Sequence, residues 1–258
     1  MARAFAAAGW SVEHARLYTD PTTGKLREID LLVSRHCDNA DVARADFRFV
    51  IECKRSREKP WVVFATRADI DSFFVPSTFA VGSLSENSLL TLIRDSLPHS
   101  DFLKPAESIG HGVTRAFIEN READPGAPYS ALRGAVSAST ALAEEFEEMR
   151  IRLGSYEGFN WPCITVPLVV VDAPLLRYAV DDAGLEKLDV VESAHVLTHH
   201  ENSQDRLAVQ IVTYEGLVAF LARTSWSVDA LLKVVLERAA LAISMQNKHV
   251  PVRPGPTA

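Results

Sequence analysis

The sequence predicts an α/β protein whose mixed central β-sheet is flanked by helices. Residues 163–172 (CITVPLVVVD) form an apolar run rich in β-branched side chains, as is typical of a strand that is buried on both faces. Residues 129–152 carry apolar side chains at helical spacing, with glutamates on the opposite side. Strand and helix patterns are mixed along the 258 residues without a clean linker. We therefore expect one α/β domain over residues 1–258, with an elaborated C-terminal part.

The first 54 residues predict a short helix followed by a three-strand meander. An alanine-rich segment at residues 2–8 precedes Gly9, which ends a helix readily because it adopts a positive φ. The sequence DPTTG at residues 20–24 predicts a turn, and the polar residues 36–46 predict a surface loop. The strands are expected at residues 10–18, 26–34 and 47–54.

The rest of the chain predicts further strands and helices. Residues 61–65 form a short apolar segment, and residues 70–79 and 87–97 fit a helix or irregular cover. The turn sequence DDAG is expected to join two strands at residues 181–184. Strands are expected at residues 163–172, 175–180, 185–198 and 207–213, and helices at residues 111–122, 129–152, 214–222 and 228–243.

Composition and charge narrow the class of protein. Hydrophobic residues make up 47% of the chain and charged residues 24%, which is ordinary for a soluble globular protein. The net charge of −7 argues against a protein that sequesters nucleic acid by bulk charge. Three scattered cysteines predict neither a disulfide framework nor a zinc site. No apolar run is long enough to span a membrane and no secretory signal is evident, so we expect a cytoplasmic enzyme or binding domain.

Ionisable side chains interrupt two of the predicted apolar strands. Asp30 lies within one strand, and Glu52 and Lys54 lie at the end of the next. Side chains alternate between the faces of a strand, so Glu52 and Lys54 share one face while Cys53 lies on the other. A buried acid needs a partner or an ion, and the meander is expected to bring Asp30 beside Glu52.

Two carboxylates and one ammonium group suit metal-assisted phosphodiester hydrolysis. Mg²⁺ takes oxygen ligands, typically one or two carboxylates together with waters and substrate phosphate. Asp30 and Glu52 would supply the carboxylates, and the backbone carbonyl of Cys53 would add a third oxygen. Lys54 would orient or activate the attacking water and offset charge that develops on the phosphate.

This arrangement resembles the PD-(D/E)xK nuclease superfamily. The resemblance covers residues 1–67: a helix ending in Gly9-Trp10, a strand, a second strand with Asp30, and a third that ends in Glu52-Cys53-Lys54. It implies a restriction endonuclease-like core that cuts DNA, less often RNA. It also implies that Asp30 and Glu52 bind Mg²⁺, for which Mn²⁺ can substitute, and that Lys54 is the catalytic lysine. Residues 27–64 are especially similar to uncharacterised bacterial members, some of them linked to genome defence.

The sequence departs from the family pattern in two places. Many members carry an acidic residue on the first helix, and residues 1–9 contain none. Glu13 on the following strand is a candidate substitute, and the number of bound metal ions is left open. In addition, Ile29 stands where the family motif has a proline, as is common in divergent members.

Basic residues follow the proposed site. Lys54, Arg55, Arg57, Lys59 and Arg67 against Glu58 give this stretch a net charge of +4, and we expect Arg55, Arg57 and Lys59 to contact phosphates. Trp61 has the chemistry to stack on a base, but its apolar neighbours favour a place in the core. His195, His199 and His200 lie near the end of a predicted strand. His199, His200 and Glu201 could bind a metal ion, but without a matching acid or cysteine cluster an exposed polar loop is favoured.

Three alternatives to a nuclease stay open at this level. Asp30, Glu52 and Lys54 could form an ion-paired cluster at the end of a sheet. The same fold could serve as a catalytically inactive module that binds nucleic acid or a protein. A hydrolase acting on another phosphoester is the third alternative. In the nuclease interpretation, residues 68–258 would wrap the core and shape access to the substrate or build a homodimer.

Overall fold

A computed structural model describes residues 1–39, 43–56, 59–67, 79–81, 108–116, 126–153, 161–181, 183–199 and 206–248. Within these residues there are eleven strands and three helices. The helices are α1 (Ala2–Ala7), α2 (Ala127–Leu153) and α3 (Leu217–Lys248). The strands are β1 (Ser11–Thr19), β2 (Leu26–Asn39), β3 (Ala43–Arg55), β4 (Trp61–Arg67), β5 (Phe79–Val81), β6 (Ser108–Arg115), β7 (Cys163–Asp172), β8 (Leu175–Val180), β9 (Glu186–Val190), β10 (Ser193–His199) and β11 (Arg206–Thr213).

The parallel pairing of β3 with β7 joins the N-terminal meander to the rest of the sheet. It runs without interruption from Asp46 opposite Cys163 to Arg55 opposite Asp172. Nine of the ten β7 residues are buried, because helices cover both faces of this strand. The β-branched run therefore forms a strand that is covered on both faces, as the sequence predicts.

All eleven described strands belong to one mixed sheet. Ten of them follow the order β1-β2-β3-β7-β11-β10-β6-β4-β8-β9, and β5 pairs with β7 outside this path. The meander β1-β2-β3 is antiparallel, and β7 and β11 continue it with parallel pairing. The observed architecture is thus α/β with a large mixed sheet.

The two long helices cover opposite faces of the sheet. On one face, α3 packs its apolar side chains, such as Phe220 and Leu232, against Phe49 and Val170. On the other face, α2 packs Leu132 and its neighbours against β4, β7 and β11, and Ala138 and Leu142 against β2 and β3. Glu52 lies on the α2 face, so α2 is the helix that borders the acidic residues.

Trp10 attaches the N-terminal helix to the α3 face. Gly9 follows α1 with φ +81° and turns the chain so that Trp10 packs against Phe47 and Phe49. The indole N–H of Trp10 donates a hydrogen bond to Ser225 of α3 at 3.0 Å. The guanidinium of Arg35 lies 5.1 Å from the indole centroid and donates to the carbonyl of Ala8. These contacts hold α1 against the start of the meander.

Several predictions from the sequence are confirmed. The first helix, the meander, the strand at 163–172 and the helix at 129–152 all form, with ends shifted by a few residues. The turn at 20–24 is also confirmed: the Asp20 carboxylate accepts hydrogen bonds from the backbone N–H groups of Thr22 and Thr23. Gly24 completes this turn with φ +66°.

Other predictions are wrong, mainly where polar residues lie in strands. The predicted loop at 36–46 instead extends β2 and β3, whose cross-strand pairs reach from His36 opposite Asp46 to Asn39 opposite Ala43. The predicted helix at 111–122 begins as strand β6. The predicted strand at 185–198 divides into β9 and β10, and the two predicted C-terminal helices form the single helix α3. The predictions for residues 70–78 and 87–97 fall outside the described residues.

Among the described residues, no helix is long and apolar enough to cross a membrane.

Trp10 is expected to contribute much of the stability that links α1, the meander and α3. The side chain is only 3% exposed, so Trp10→Ala should lower the free energy of unfolding by about 3–5 kcal/mol through lost packing and a cavity. Trp226→Ala is the matched control, because Trp226 is 64% exposed and its removal should change stability by less than about 0.5 kcal/mol. Urea unfolding followed by circular dichroism measures both, and equal effects would contradict the role assigned to Trp10.

Candidate functional site

Asp30 lies where the strand pairing of the meander is interrupted. The pairing of β2 with β3 ends at Leu31 opposite Ile51. The pairing of β1 with β2 skips Ala15 and Asp30, and Ala15 has a φ of +54°. The exposed Asp30 carboxylate accepts a hydrogen bond from the backbone N–H of Cys53 at 2.7 Å. It thereby satisfies a β3 donor that the strand pairing leaves free.

Glu52 lies beside Asp30 on the α2 face of β3. Its side chain is only 16% exposed and lies 3.3 Å from the ammonium group of Lys54. Asp30 and Glu52 lie directly beyond the last β2–β3 pair, Leu31 with Ile51, and Asp30 is one of the groups that raise the pKa of Glu52. The structure therefore brings Asp30, Glu52 and Lys54 together at the C-terminal end of β3.

A glycine of α2 makes room for the Glu52 carboxylate. A Cβ atom built on Gly134 would lie 2.8 Å from Oε1 of Glu52, closer than real Cβ contacts. The Glu52 side chain therefore packs directly against the backbone of α2. Gly134 is absent from the sequence-based prediction of the site, although a glycine inside a long helical pattern signals a close approach.

Burial and the neighbouring acid raise the pKa of Glu52 to about 7. Removal of the carboxyl group from water is the largest cause, and the hydrogen bond and negative charge of Asp30 act in the same direction. The Lys54 ammonium lowers this pKa but does not outweigh the other effects. In the metal-free protein, the surroundings of Glu52 thus disfavour its ionised form. A cation bound beside the carboxylate would stabilise that form.

Cys53 presents its thiol and its backbone to different surroundings. The thiol packs at the edge of the α3-side core, where its sulfur lies 3.3 Å from the sulfur of Met1. Burial, reinforced by the charges of Asp30 and Glu52, raises the pKa of this thiol to about 12, so it is not a reactive thiolate. In a regular strand the N–H and C=O of one residue point to the same side, which directs the Cys53 carbonyl toward the Asp30 side.

The donor set fits a magnesium ion that keeps several waters. Asp30 and Glu52 offer two carboxylates and Cys53 a carbonyl, all hard oxygen donors of the kind that Mg²⁺ prefers. Among the described residues, however, no group of three or more His, Cys, Asp or Glu side chains could hold a metal. Glu13, the candidate substitute for the missing helix acid, instead forms an ion pair with Arg16 at 3.2 Å.

The predicted nucleic-acid contacts are placed only in part. Arg55 is well exposed at the end of β3, with its guanidinium 3.9 Å from Asp172. Lys59 lies just before β4, where its backbone N–H donates to the Ser56 carbonyl at 2.9 Å and its own carbonyl accepts from the Ser56 hydroxyl at 3.0 Å. Arg57 lies outside the described residues. Arg55 therefore lies at the end of β3, and Lys59 lies shortly before β4.

Trp61 and His195, for which the sequence analysis considers a functional role, lie in strands outside the candidate site. Trp61 is fully buried in the α2-side core with Val63 and Leu175, so it cannot stack on a base. His195 lies on strand β10, where burial lowers its pKa to about 4, and the expectation of an exposed loop is wrong for this residue. His200 lies outside the described residues.

No family model, curated protein or solved structure matches this chain.

The pKa of Glu52 predicts how the stability of the metal-free protein depends on pH. Because this pKa is raised from 4.5 to about 7, the folded chain holds the proton more tightly than the unfolded chain. Stability should therefore fall as pH rises through this window. Glu52→Gln removes the effect, so it should be more stable than wild type at pH 8 by about 2 kcal/mol, with a smaller difference at pH 4.5.

Urea unfolding in EDTA between pH 4.5 and 8 measures this difference. Glu28→Gln is the matched control, because Glu28 is an exposed carboxyl on the same strand as Asp30. Parallel pH profiles for Glu52→Gln and wild type would contradict the raised pKa.

Gly134 and Glu52 should be energetically coupled. Alanine is favoured over glycine inside a helix by about 1 kcal/mol, but in the wild-type background the added methyl group displaces the Glu52 carboxylate. Gly134→Ala should therefore stabilise the protein when Glu52 is already Ala, and stabilise it less, or destabilise it, when Glu52 is present. A double-mutant cycle of unfolding free energies tests this, and additive effects of the two changes would contradict the contact.

Proposed function

We propose that this chain is a Mg²⁺-dependent nuclease that hydrolyses phosphodiester bonds in DNA. One observation carries the proposal: two carboxyl groups from different strands, Asp30 and Glu52, meet beside the ammonium group of Lys54. A helix, an antiparallel meander and an E-x-K strand end occur in the order that the resemblance to the PD-(D/E)xK superfamily implies. The proposal extends to a restriction endonuclease-like core, a bacterial cytoplasm and a setting in genome defence.

The electrostatics of the carboxyl pair favour a cation as its partner. Two neighbouring carboxylates repel when both are ionised, and the Lys54 ammonium lies 3.3 Å from the carboxylate of Glu52. When bound, Mg²⁺ would polarise the phosphate and lower the pKa of a water. Asp30, Glu52 and the Cys53 carbonyl would hold the ion, and Lys54 would orient the attacking water and offset charge on the phosphate.

The charge around the site supports a polyanionic substrate. The chain is acidic overall, yet the stretch that follows Glu52 carries a net positive charge. Arg55 is exposed beside the site and Lys59 begins the approach to β4, so both are available for contacts to phosphate oxygens. Arg57 belongs to the same basic stretch. DNA is the proposed substrate because of the resemblance, and RNA is the alternative that a substrate comparison would detect.

A catalytically inactive binding module is the second candidate. The observation that favours it is the small ligand set, two carboxyl groups without a third acidic side chain among the described residues. In addition, Asp30 has a structural role of its own, since its carboxylate satisfies the Cys53 N–H. Such a module would keep the basic stretch and bind nucleic acid without metal-dependent cleavage.

The nuclease proposal is tested by cleavage of supercoiled plasmid, linear duplex, single-stranded DNA and RNA with Mg²⁺ or Mn²⁺. Asp30→Asn keeps an acceptor for the Cys53 N–H but removes the charge, and Glu52→Gln and Lys54→Ala remove the other two groups. Each change should reduce the cleavage rate by about 100-fold or more. Lys233→Ala, an exposed lysine on α3, is the matched control and should cut like wild type. EDTA should abolish cleavage.

Metal titration calorimetry separates the two candidate functions. A nuclease should bind Mn²⁺ in the wild-type and Lys54→Ala proteins but not in Asp30→Asn or Glu52→Gln. If wild type binds DNA, binds no metal and leaves every substrate intact, the inactive module is the correct description. If the variants cut as fast as wild type, the cleavage does not arise from this site.

A further inference from the structure

The hairpin formed by β8 and β9 ends the sheet on the side away from the meander. Among the described residues, β9 pairs with β8 alone. Leu188 and Val190 of β9 are 59% and 79% exposed, and no other described strand pairs with the outer edge of β9.

An apolar stripe crosses the sheet to this edge. Leu188 lies opposite Tyr178 and Tyr178 opposite Phe64, while Val190 lies opposite Leu176. Directly opposed residues share a face, and the rings of Phe64 and Tyr178 are 5.8 Å apart. Exposed apolar side chains therefore continue to the last strand rather than giving way to polar residues.

The hydrogen bonds of the hairpin determine which β9 backbone groups point outward. The Asp181 N–H donates to the Leu185 carbonyl, and the Val191 N–H donates to the Leu175 carbonyl. The register between these two bonds is continuous, and hydrogen-bonded positions alternate along an antiparallel pair. Lys187 and Asp189 therefore use their backbone groups on β8. Glu186, Leu188 and Val190 direct theirs to the open edge.

We propose that a second copy of this chain pairs with β9, antiparallel, around a two-fold axis at Leu188. In this register Leu188 opposes Leu188 of the second copy, and Glu186 opposes Val190 of the second copy. All three outward residues then form backbone hydrogen bonds, six across the interface. This assembly is independent of the function proposed for the acidic site.

The charges of β9 favour this register over its neighbours. Lys187 opposes Asp189 of the second copy at a non-hydrogen-bonded position, where opposed side chains are closest. An axis at Lys187 or at Asp189 would instead place two like charges opposite each other. An axis between two residues would oppose an outward residue to an inward one, which antiparallel pairing does not allow.

Charged residues on an edge strand often protect it against pairing with another chain. Here, however, the two charges have opposite signs and an order that is self-complementary under a two-fold axis. Within the chain, Asp189 already lies 3.1 Å from Arg177 and 3.3 Å from Lys187. In the dimer, Lys187 of the second copy joins this group, and the two apolar stripes become continuous across the axis.

Charge reversal tests the proposed register. Sedimentation velocity of wild type up to about 200 µM should show a concentration-dependent monomer–dimer equilibrium. Lys187→Asp opposes two acids and Asp189→Lys opposes two lysines, so each variant alone should raise the dissociation constant at least tenfold. When the two variants are mixed, both opposed pairs regain opposite charges and a heterodimer should form.

The heterodimer distinguishes loss of the interface from loss of the fold. Asp189→Lys also removes the ion pair with Arg177 inside the hairpin, but a hairpin that had unfolded could not be rescued by mixing. A wild-type protein that stays monomeric at the highest concentration would overturn the proposal. Mixed variants that both remain monomeric would overturn it as well.

Cysteine cross-linking gives a second test that leaves the charges in place. Hydrogen-bonded opposed residues have Cα atoms about 5.5 Å apart, which suits a disulfide, so Leu188→Cys should form a covalent dimer on mild oxidation. Val190→Cys is the matched control: it is more exposed, yet its two copies would lie about 14 Å apart. Wild type controls for Cys37, Cys53 and Cys163. Equal cross-linking of the two variants would overturn the register.

Discussion

The parallel pairing of β3 with β7 is the constraint on which the remaining structure depends. Both strands need cover on two faces, since Phe49 and Ile51 point toward α3 while Val50 points toward α2. The long helices are therefore held on opposite sides of one strand pair. The same pairing continues to Arg55, so it also fixes the end of β3 where Glu52 and Lys54 lie. The core and the candidate site are thus positioned by one set of backbone hydrogen bonds.

At the candidate site, an arrangement that suits a bound cation lowers the stability of the metal-free protein. The ladder between β2 and β3 stops one residue before Glu52, and the Asp30 carboxylate takes over by accepting the Cys53 N–H. This local solution brings a second acid to a half-buried glutamate. A purely structural role for Asp30 would be met by any acceptor, including a neutral amide. That role does not require Glu52 to lie nearby. A bound cation, in contrast, would use both carboxylates.

The two edge strands of the sheet, β1 and β9, have different contacts. At the β1 end, Arg16 reaches Glu13 and Glu145 of α2, so charged contacts tie the edge to the helix that borders the site. At the β9 end, apolar side chains reach the last strand and no described helix lies over them. The acidic site is close to the first of these ends. An assembly through the second would therefore leave the site accessible.

Sequence patterns predicted the elements whose signal is local. The β-branched run of β7, the helical spacing of α2 and the Asp20 turn each depend on near neighbours, and all three are confirmed. The extension of β2 and β3 through polar residues was missed, because their strand state comes from pairing with each other and not from hydrophobic alternation. The start of β6 was likewise missed because Gly110 and Gly112 carry no strand propensity and pair through neighbouring strands.

For the candidate site, the sequence by itself determined which ionisable groups are present and on which strands they lie. Asp30 is in one strand, and Glu52 and Lys54 are on one face of another. Only the tertiary structure decided that Asp30 accepts the Cys53 N–H, that Gly134 admits the Glu52 carboxylate, and that Glu13 pairs with Arg16 instead. The physical reason is that alternation along a strand is a local property, readable from spacing. The approach of α2 to β3 depends on side chains more than 80 residues apart in the sequence, and no local pattern specifies it.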